Sequence, residues 1–237
     1  MEKYFTIFII MSVAVMGCQK APQETPQQAA EKGSAPEAAK EISNAPAQPP
    51  PQVQTDKNSE KESAPFQPFY VYATKAFAGN HFIPSGYMPN SNCVKLKDDW
   101  AENCRGEGTC IRVDYDVECS RKDEKWAGVY WLNPANNWGS RKGGFNLTGA
   151  RRLTFWARGE RGGEQIQEFT VGGITGDYPD SDTAVIGPVI LGAEWKQYTI
   201  DVRGKDLSYI SGGFAWATSE EVNPEQCTFY LDDIKYE

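Results

Sequence analysis

The sequence predicts an all-β domain, a two-sheet antiparallel β-sandwich or jelly roll, preceded by a signal peptide and a disordered linker. From residue 69 onward, short segments of strand-like composition alternate with clusters of Gly, Pro, Asn and Asp. No segment in that part of the chain shows a convincing helical period. Many short strands without intervening helices are typical of β-sandwiches. The predicted strands are 69–73, 94–97, 109–117, 126–132, 151–158, 165–171, 184–191, 194–202, 208–217 and 227–236.

The last of these segments is the strand around which we expect the domain to be organised. Residues 227–237 alternate apolar and polar side chains, as a half-buried strand does. Two adjacent carboxylates, Asp232 and Asp233, lie within it. We expect this strand to close a sheet whose other strands lie upstream.

The N-terminal segment has the features of a lipoprotein signal peptide. Residues 4–15 form an apolar stretch that is too short to span a bilayer. It leads into Val15-Met16-Gly17-Cys18, which resembles a lipobox and predicts residues 1–17 as the signal peptide and Cys18 as the lipidated residue. The alternative is an ordinary signal peptide with a chance cysteine. Because Gln19 rather than Asp follows the cysteine, we expect an envelope location, on the outer membrane if the host is Gram-negative.

Composition divides the rest of the chain into a linker and one domain. Residues 18–65 are rich in Ala, Pro, Gln, Glu, Lys and Ser, and they contain no aromatic residue. Such a segment buries too little apolar surface to offset its conformational entropy. Residues 66–237 contain all seven Trp residues. The chain carries a formal net charge of −8 without a basic run, which argues against nucleic acid as a partner. We also expect the protein to be a monomer.

Five cysteines follow Cys18, and their spacing predicts two nested disulfides. If 109–117 is extended, Cys110 and Cys119 lie at opposite ends of it, too far apart to be bridged. If 94–97 pairs with that strand antiparallel, Cys93 lies near Cys119 and Cys104 near Cys110. Cys227 is then the odd thiol, and we expect it to be buried. The cysteines lack CxxC spacing, which argues against zinc.

The strand 151–158 carries the first candidate for ligand binding. Its alternation predicts that Trp156 and Arg158 share the face that looks to solvent. A hairpin through residues 159–163 would bring Glu168 close to Trp156. An indole beside a carboxylate and a guanidinium suits a sugar. The alternative is that Trp156 packs beneath a loop such as 134–142.

Two loops supply further candidates. Trp131 and Trp138 accompany several asparagines in 131–142 and are predicted to line one end of a groove, although Asn-rich loops are also ordinary turns. Asp177 and Tyr178 lie in 173–182, whose three carboxylates resemble an oxygen-rich calcium loop without the EF-hand spacing. Solvated loop acids are the alternative.

The lone histidine of the chain, His81, is a candidate ligand contact. Ser85 lies four residues away, but no nucleophile elbow or orienting acid accompanies the pair. Catalysis by His81 is therefore disfavoured.

Four stretches together resemble secreted jelly rolls of the carbohydrate-binding-module type, in the galactose-binding-like superfamily. They are WAGVYWLNPANNWG, LTGARRLTFWARGERGGE, EWKQYTIDV and FYLDDIKYE. The resemblance implies glycan binding. It also implies a structural calcium ion that uses Asp232 or Asp233, although 69–73 lacks the acidic partner expected for it.

These observations favour non-catalytic binding of a polysaccharide or oligosaccharide by an envelope lipoprotein, with no cofactor beyond the implied calcium. One alternative is a structural or adhesive envelope domain that binds protein. The other is a glycoside-active enzyme with Glu168 and Asp201 as its carboxylates, whose separation would have to match a retaining or an inverting mechanism.

Overall fold

The structure is a computed structural model that describes residues 65–89, 91–119 and 125–237. Within these residues the chain forms thirteen β-strands and one short 3-10 helix, Val117–Cys119. The strands are β1 Phe69–Tyr72, β2 Ile83–Met88, β3 Val94–Trp100, β4 Cys110–Tyr115, β5 Trp126–Leu132, β6 Arg152–Gly159, β7 Gln165–Ile166, β8 Glu168–Gly172, β9 Thr183–Ile186, β10 Val189–Ile190, β11 Lys196–Asp201, β12 Gly212–Ser219 and β13 Cys227–Tyr236. In the described part of the chain, no helix has the length and apolar character to cross a membrane.

The described strands form two main antiparallel sheets and a two-stranded ribbon. The six-stranded sheet has the order β11-β6-β13-β4-β3, with β1 paired to the far end of β13. The five-stranded sheet has the order β2-β5-β12-β8-β9, and β7 pairs with β10 in the ribbon. The predicted two-sheet sandwich is confirmed.

Strand β13 pairs with strands that lie upstream in the chain, as the sequence predicts, and it occupies the centre of the six-stranded sheet. Its first half lies between β4 and β6, and its last residues pair with β1. The register shifts between Asp232 and Lys235, where Asp233 adopts a positive φ of 48°. At this bulge β13 changes its partner on one side, from β4 in its first half to β1 in its last residues.

Aromatic side chains from both sheets fill the space between them. Phe155 of the six-stranded sheet lies 4.6 Å from Phe169 and 5.1 Å from Phe214, both of the five-stranded sheet, measured between ring centroids. Trp216 meets Phe229 edge to face at 5.0 Å. Burial of each such ring contributes about 1.5–3 kcal/mol to folding. The inward-facing residues therefore hold the two sheets together.

The structure differs from the prediction in the number of strands at three places. Strand β2 is not predicted, because Pro84, Gly86 and Pro89 suggest a turn; it lies at the edge of its sheet, where proline is tolerated. The predicted strand 165–171 is two strands, β7 and β8, of which only β8 joins the five-stranded sheet. The predicted strand 184–191 is also two, β9 and β10, separated by Gly187-Pro188.

The predicted hairpin of β3 and β4 is confirmed, and with it one disulfide. Cys104 and Cys110 are bonded, with Cα atoms 5.5 Å apart. The side chain of Cys119 lies outside the described residues, so the Cys93–Cys119 bridge stays a prediction. Among the described cysteines Cys227 is free and 1% exposed, and burial raises the pKa of its thiol to about 12. The odd, buried thiol is confirmed.

The predictions for the N-terminal segment fall on residues 1–64, outside the described residues. They comprise the signal peptide, the lipidated Cys18 and nearly all of the linker.

Candidate functional site

The outer face of the five-stranded sheet has a floor of very small side chains. In β5 the residues Ala127, Val129 and Trp131 point into the core, so Gly128 and Tyr130 point outward. The strand register then builds two rows across the sheet. The first row is Met88, Gly128, Ala217 and Glu168, and the second is Gly86, Tyr130, Ala215, Thr170 and Val185.

The glycines of this face lie where a side chain does not fit. A Cβ at Gly128 would lie 2.6 Å from the Trp216 carbonyl oxygen and 2.8 Å from the Met88 methyl group. A Cβ at Gly86 would lie 3.0 Å from the ring of Trp138. With Ala215 and Ala217 between them and Glu168, the two rows form a strip of small residues, called the channel below. Gly128 is buried within this strip, and Ala215 is 2% exposed. Neighbouring strands are about 4.8 Å apart, so a row across five strands is about 19 Å long.

Two aromatic side chains stand at one side of this channel. Trp138, on the loop after β5, is 43% exposed, and its ring meets Tyr130 edge to face at 5.8 Å. The Tyr130 hydroxyl donates a hydrogen bond to the Gly172 carbonyl oxygen at 3.2 Å, which fixes the ring. The tyrosine thus holds one edge of the indole while much of the indole remains open to solvent.

Carboxylates lie close to Tyr130 on this face. Burial raises the pKa of Tyr130 above its ordinary value, and the nearby carboxylates Glu168 and Asp180 raise it further. Glu168 is exposed and is the sole carboxylate in the two rows of the described sheet. It is therefore available to accept hydrogen bonds from a ligand.

The loop 173–182 is held beside Trp138 by its own acids. Asp180 accepts hydrogen bonds from the backbone of Ile174, Ser211 and Gly212 and from the Ser211 hydroxyl. Asp182 accepts from the backbone of Thr183 and Asp206 and from Lys205. Two of the three loop carboxylates therefore already accept hydrogen bonds from groups of the protein.

The predicted contacts of this loop lie next to the tryptophan. The amide of Tyr178 donates to the carbonyl oxygen of Gly139, the residue after Trp138, at 2.9 Å. Tyr178 is half-buried and Asp177 is exposed. The structure therefore brings Trp138 and Tyr178 together at one end of the channel.

Trp156 and Arg158 lie on the outer face of the other sheet. The guanidinium of Arg105 covers the Trp156 ring, 4.6 Å from its centroid, and the Cys104–Cys110 bridge closes the loop that carries Arg105. Arg158 is 9% exposed and stacks on Tyr230 at 3.9 Å. Of the two alternatives for Trp156, the structure supports packing under a loop, although the loop is 101–109 and not 134–142.

The predicted proximity of Trp156 and Glu168 is wrong. Strand β6, which holds Trp156, pairs with β11 and β13, whereas β8, which holds Glu168, belongs to the opposite sheet. The chain crosses between the sheets after a turn in which Gly162 and Gly163 both have positive φ. Strands that are consecutive in sequence therefore do not form a hairpin here.

Two other candidates are also displaced from the channel. Trp131 is 0% exposed and packs edge to face on Phe214 at 5.5 Å, so a ligand does not reach it and its predicted role is wrong. His81 stacks on Phe69 at 3.8 Å, and its Nδ1 lies 3.0 Å from the Tyr70 carbonyl oxygen. These contacts place His81 in an aromatic cluster beside β1.

The carboxylate pair considered for glycoside chemistry does not share a face. Glu168 points outward from the five-stranded sheet, whereas Asp201 ends β11 of the six-stranded sheet. Asp201 is also paired with Arg203. The structure thus does not bring these two groups to one bond of a substrate.

The residues around Asp232 and Asp233 fit a calcium site poorly. Calcium in proteins takes six to eight oxygen ligands, about 2.3–2.6 Å away. In the described residues, no three side chains of the His, Cys, Asp or Glu types converge to hold a metal ion. Asp233 instead contacts Arg105 and Lys235. Burial raises the pKa of Asp232 to about 6, although backbone hydrogen bonds from Asp233 and Arg105 oppose that rise.

Two adjoining surface cavities of about 290 and 400 Å³ lie at one end of the sandwich, away from these rows. Both are lined by Arg161, Glu164, Glu225 and Gln226, among other residues. Arg161 and Glu225 form an ion pair across 3.4 Å. The walls of the two cavities contain no aromatic ring, and no predicted site residue lines either cavity.

Sequence reasoning missed the floor of the channel and Tyr130. The signal lies in the sequence of β5, where Ala127, Val129 and Trp131 make one apolar face and leave Gly128 and Tyr130 on the other. That Ala215 and Ala217 lie beside them follows only from the pairing of β5 with β12.

No family model and no curated protein matches this chain. Carbohydrate-binding modules of families 11, 29 and 30 are among the solved structures that resemble it. The family 30 module of the cellulosomal cellulase Cel9D-Cel44B of Clostridium thermocellum is 12% identical, covers 72% of this chain and 97% of its own, and has a TM-score of 0.45. The family 11 module of Lic26A-Cel5E from the same organism is 13% identical, covers 73% and 95%, and has a TM-score of 0.46. A family 29 module is 9% identical, covers 72% and 87%, and has a TM-score of 0.42.

Proposed function

We propose that this protein binds a polysaccharide or oligosaccharide chain along the outer face of its five-stranded sheet, without catalysis. The observation that carries the proposal is the channel itself. Its floor of Gly128, Ala215 and Ala217 lies between the exposed indole of Trp138 and the carboxylate of Glu168.

Each part of the channel matches a part of a sugar. The flat apolar face of an indole stacks on the C–H face of a pyranose ring. An ionised carboxylate forms strong hydrogen bonds with hydroxyl groups. Gly128, Ala215 and Ala217 carry no long side chain, which would let a sugar ring lie close to the sheet between Met88 and Glu168. Trp138, on the loop beside the sheet, offers an exposed ring next to this strip.

The arrangement favours binding over bond cleavage. Glycoside hydrolysis requires two carboxyl groups about 5–5.5 Å or about 6.5–9.5 Å apart. Glu168 lies in the channel, but Asp201, the partner considered for it, belongs to the other sheet. A single carboxylate beside a stacking ring serves recognition of hydroxyl groups.

The test is a titration of the purified protein with soluble polysaccharides, followed by affinity electrophoresis and tryptophan fluorescence. We expect retardation by at least one glycan, and we expect Trp138→Ala to weaken that binding by tenfold or more, as loss of a central contact does. Its thermal midpoint should change little, because substitutions of exposed residues alter stability by about 0.5 kcal/mol or less.

Phe77→Ala is the matched control. Phe77 is 41% exposed, close to the 43% of Trp138, but it packs against Tyr70 beside β1 and not on the channel. We expect this variant to bind like the wild-type protein. If none of the glycans binds, or if both variants lose binding equally, the proposed site is wrong.

We further propose that the domain works at the cell envelope, anchored through Cys18 and separated from the membrane by the linker. The support is the lipobox-like Val15-Met16-Gly17-Cys18 and the composition of residues 19–65. A lipid anchor would hold the channel close to glycans at that surface.

A further inference from the structure

The bulge in β13 places two carboxylates side by side in the six-stranded sheet. Asp232 is 6% exposed, and the side chain of Asp233 is 19% exposed. Neighbouring negative charges at such sites repel each other more strongly than in water. A strand with this sequence therefore requires positive charge close to the bulge.

Two cationic side chains provide that charge. Lys235 Nζ lies 3.0 Å from Asp233 Oδ2, and Arg105 Nη2 lies 3.5 Å from the same atom. Asp232 Oδ1 accepts a hydrogen bond from the amide of Asp233 at 2.8 Å. The negative charge of the two carboxylates is thus balanced by two cations, both of which contact Asp233, while a backbone amide donates to Asp232.

Aromatic rings hold both cations in position. The guanidinium of Arg105 lies 4.6 Å from the centre of the Trp156 ring, and Lys235 Nζ lies 5.6 Å from that of Tyr70. Such cation–π contacts limit the motion of long side chains. The Cys104–Cys110 disulfide closes the loop at the residue next to Arg105.

We infer that Arg105 and Lys235 supply at this bulge the positive charge that a bound calcium ion would supply, so that the domain folds independently of calcium. A calcium ion about 2.3–2.6 Å from an oxygen of Asp233 would lie within a few ångströms of both cations and would be repelled by them. This departs from the calcium ion that the sequence resemblance implies.

The first experiment measures the thermal midpoint of the full-length protein by circular dichroism, with excess EDTA and with calcium chloride. The inference expects the same midpoint in both. A lower midpoint in EDTA, or a higher one in calcium, overturns it.

The second experiment removes the cations. Arg105→Gln combined with Lys235→Gln should lower the midpoint by about 5 °C or more, because the largely buried carboxylates would lose both cations in a domain of this size. Arg203→Gln is the matched control, because Arg203 pairs with Asp201 on an exposed surface and such pairs contribute little. A double variant as stable as the control overturns the inference.

The third experiment separates charge from packing. Adding Asp233→Asn to the double variant removes the carboxylate that the cations neutralise, so it should restore most of the lost midpoint. If Asp233→Asn restores nothing, the cations act by packing on Trp156 and Tyr70, and the inference is wrong. If the double variant does not fold, the same cycle is run with Lys235→Gln and Asp233→Asn alone.

Discussion

At the scale of single residues, the tryptophans of this domain differ most in what covers them. Trp131 and Trp216 lie wholly in the core, and Trp156 lies beneath the guanidinium of Arg105. Trp138 has 43% of its surface exposed beside the channel. Of these four tryptophans, Trp138 is the one whose ring is open to a ligand.

Trp156→Ala tests this distinction. The side chain is half-buried between its neighbours in the sheet and Arg105, so its loss should cost about 1–3 kcal/mol. For a domain of this size, that cost corresponds to a fall of about 3–10 °C in the thermal midpoint. Glycan affinity should be unchanged, because Trp156 lies on the opposite sheet from the channel. Loss of binding with an unchanged midpoint would move the site to the six-stranded sheet.

At the scale of elements, the channel depends on three strands that contribute small residues at matching positions. Gly128 of β5 lies opposite Ala217 of β12, which in turn lies opposite Glu168 of β8. A longer side chain at the middle position would fill the channel without entering the core. The outward direction of Ala217 follows from the inward direction of its neighbour Trp216.

We therefore expect Ala217→Gln to abolish glycan binding by obstruction, with a thermal midpoint within about 2 °C of the wild type. Thr199→Gln is the control, since Thr199 is an exposed, outward residue of β11 in the other sheet. Affinity electrophoresis of both variants provides the comparison. Normal binding by Ala217→Gln would show that the ligand does not lie along these rows.

At the scale of the whole molecule, the chain has two parts. The composition of the N-terminal part predicts a tether, and the part that follows it forms the β-sandwich. Cys18 is the only cysteine among the first ninety residues, and it stands at the end of an apolar stretch. Acyl chains contribute about 0.8 kcal/mol per buried CH₂, so a multiply acylated Cys18 would anchor the protein stably.

Cys18→Ser should release the protein from membranes. After expression in a Gram-negative host, the wild-type protein is expected in the membrane fraction and the variant in the soluble periplasmic fraction. Mass spectrometry of the N-terminal peptide should show acylation of the wild type alone. A variant that still sediments with membranes would exclude Cys18 as the anchor.

The sequence by itself determined the class of the fold and several of its elements. Strands β5 and β13 have the predicted bounds, since runs rich in aromatic and β-branched residues between turn residues are a local property of the sequence. The inward direction of Leu153, Phe155 and Ala157 in β6 follows from the alternation of side chains along the strand. The proximity of Cys104 and Cys110 also follows from a local feature, the hairpin of β3 and β4.

Only the tertiary structure decided which outward-facing residues share a surface. Alternation assigns Trp156 and Glu168 to the outside, but it does not tell which sheet each strand joins, and these two residues lie on opposite sheets. Ala217 reaches Gly128 through pairing between strands that are far apart in the chain. Such pairing is selected by the packing of the two sheets as a whole, because each strand gains its stability from neighbours that its own sequence does not specify.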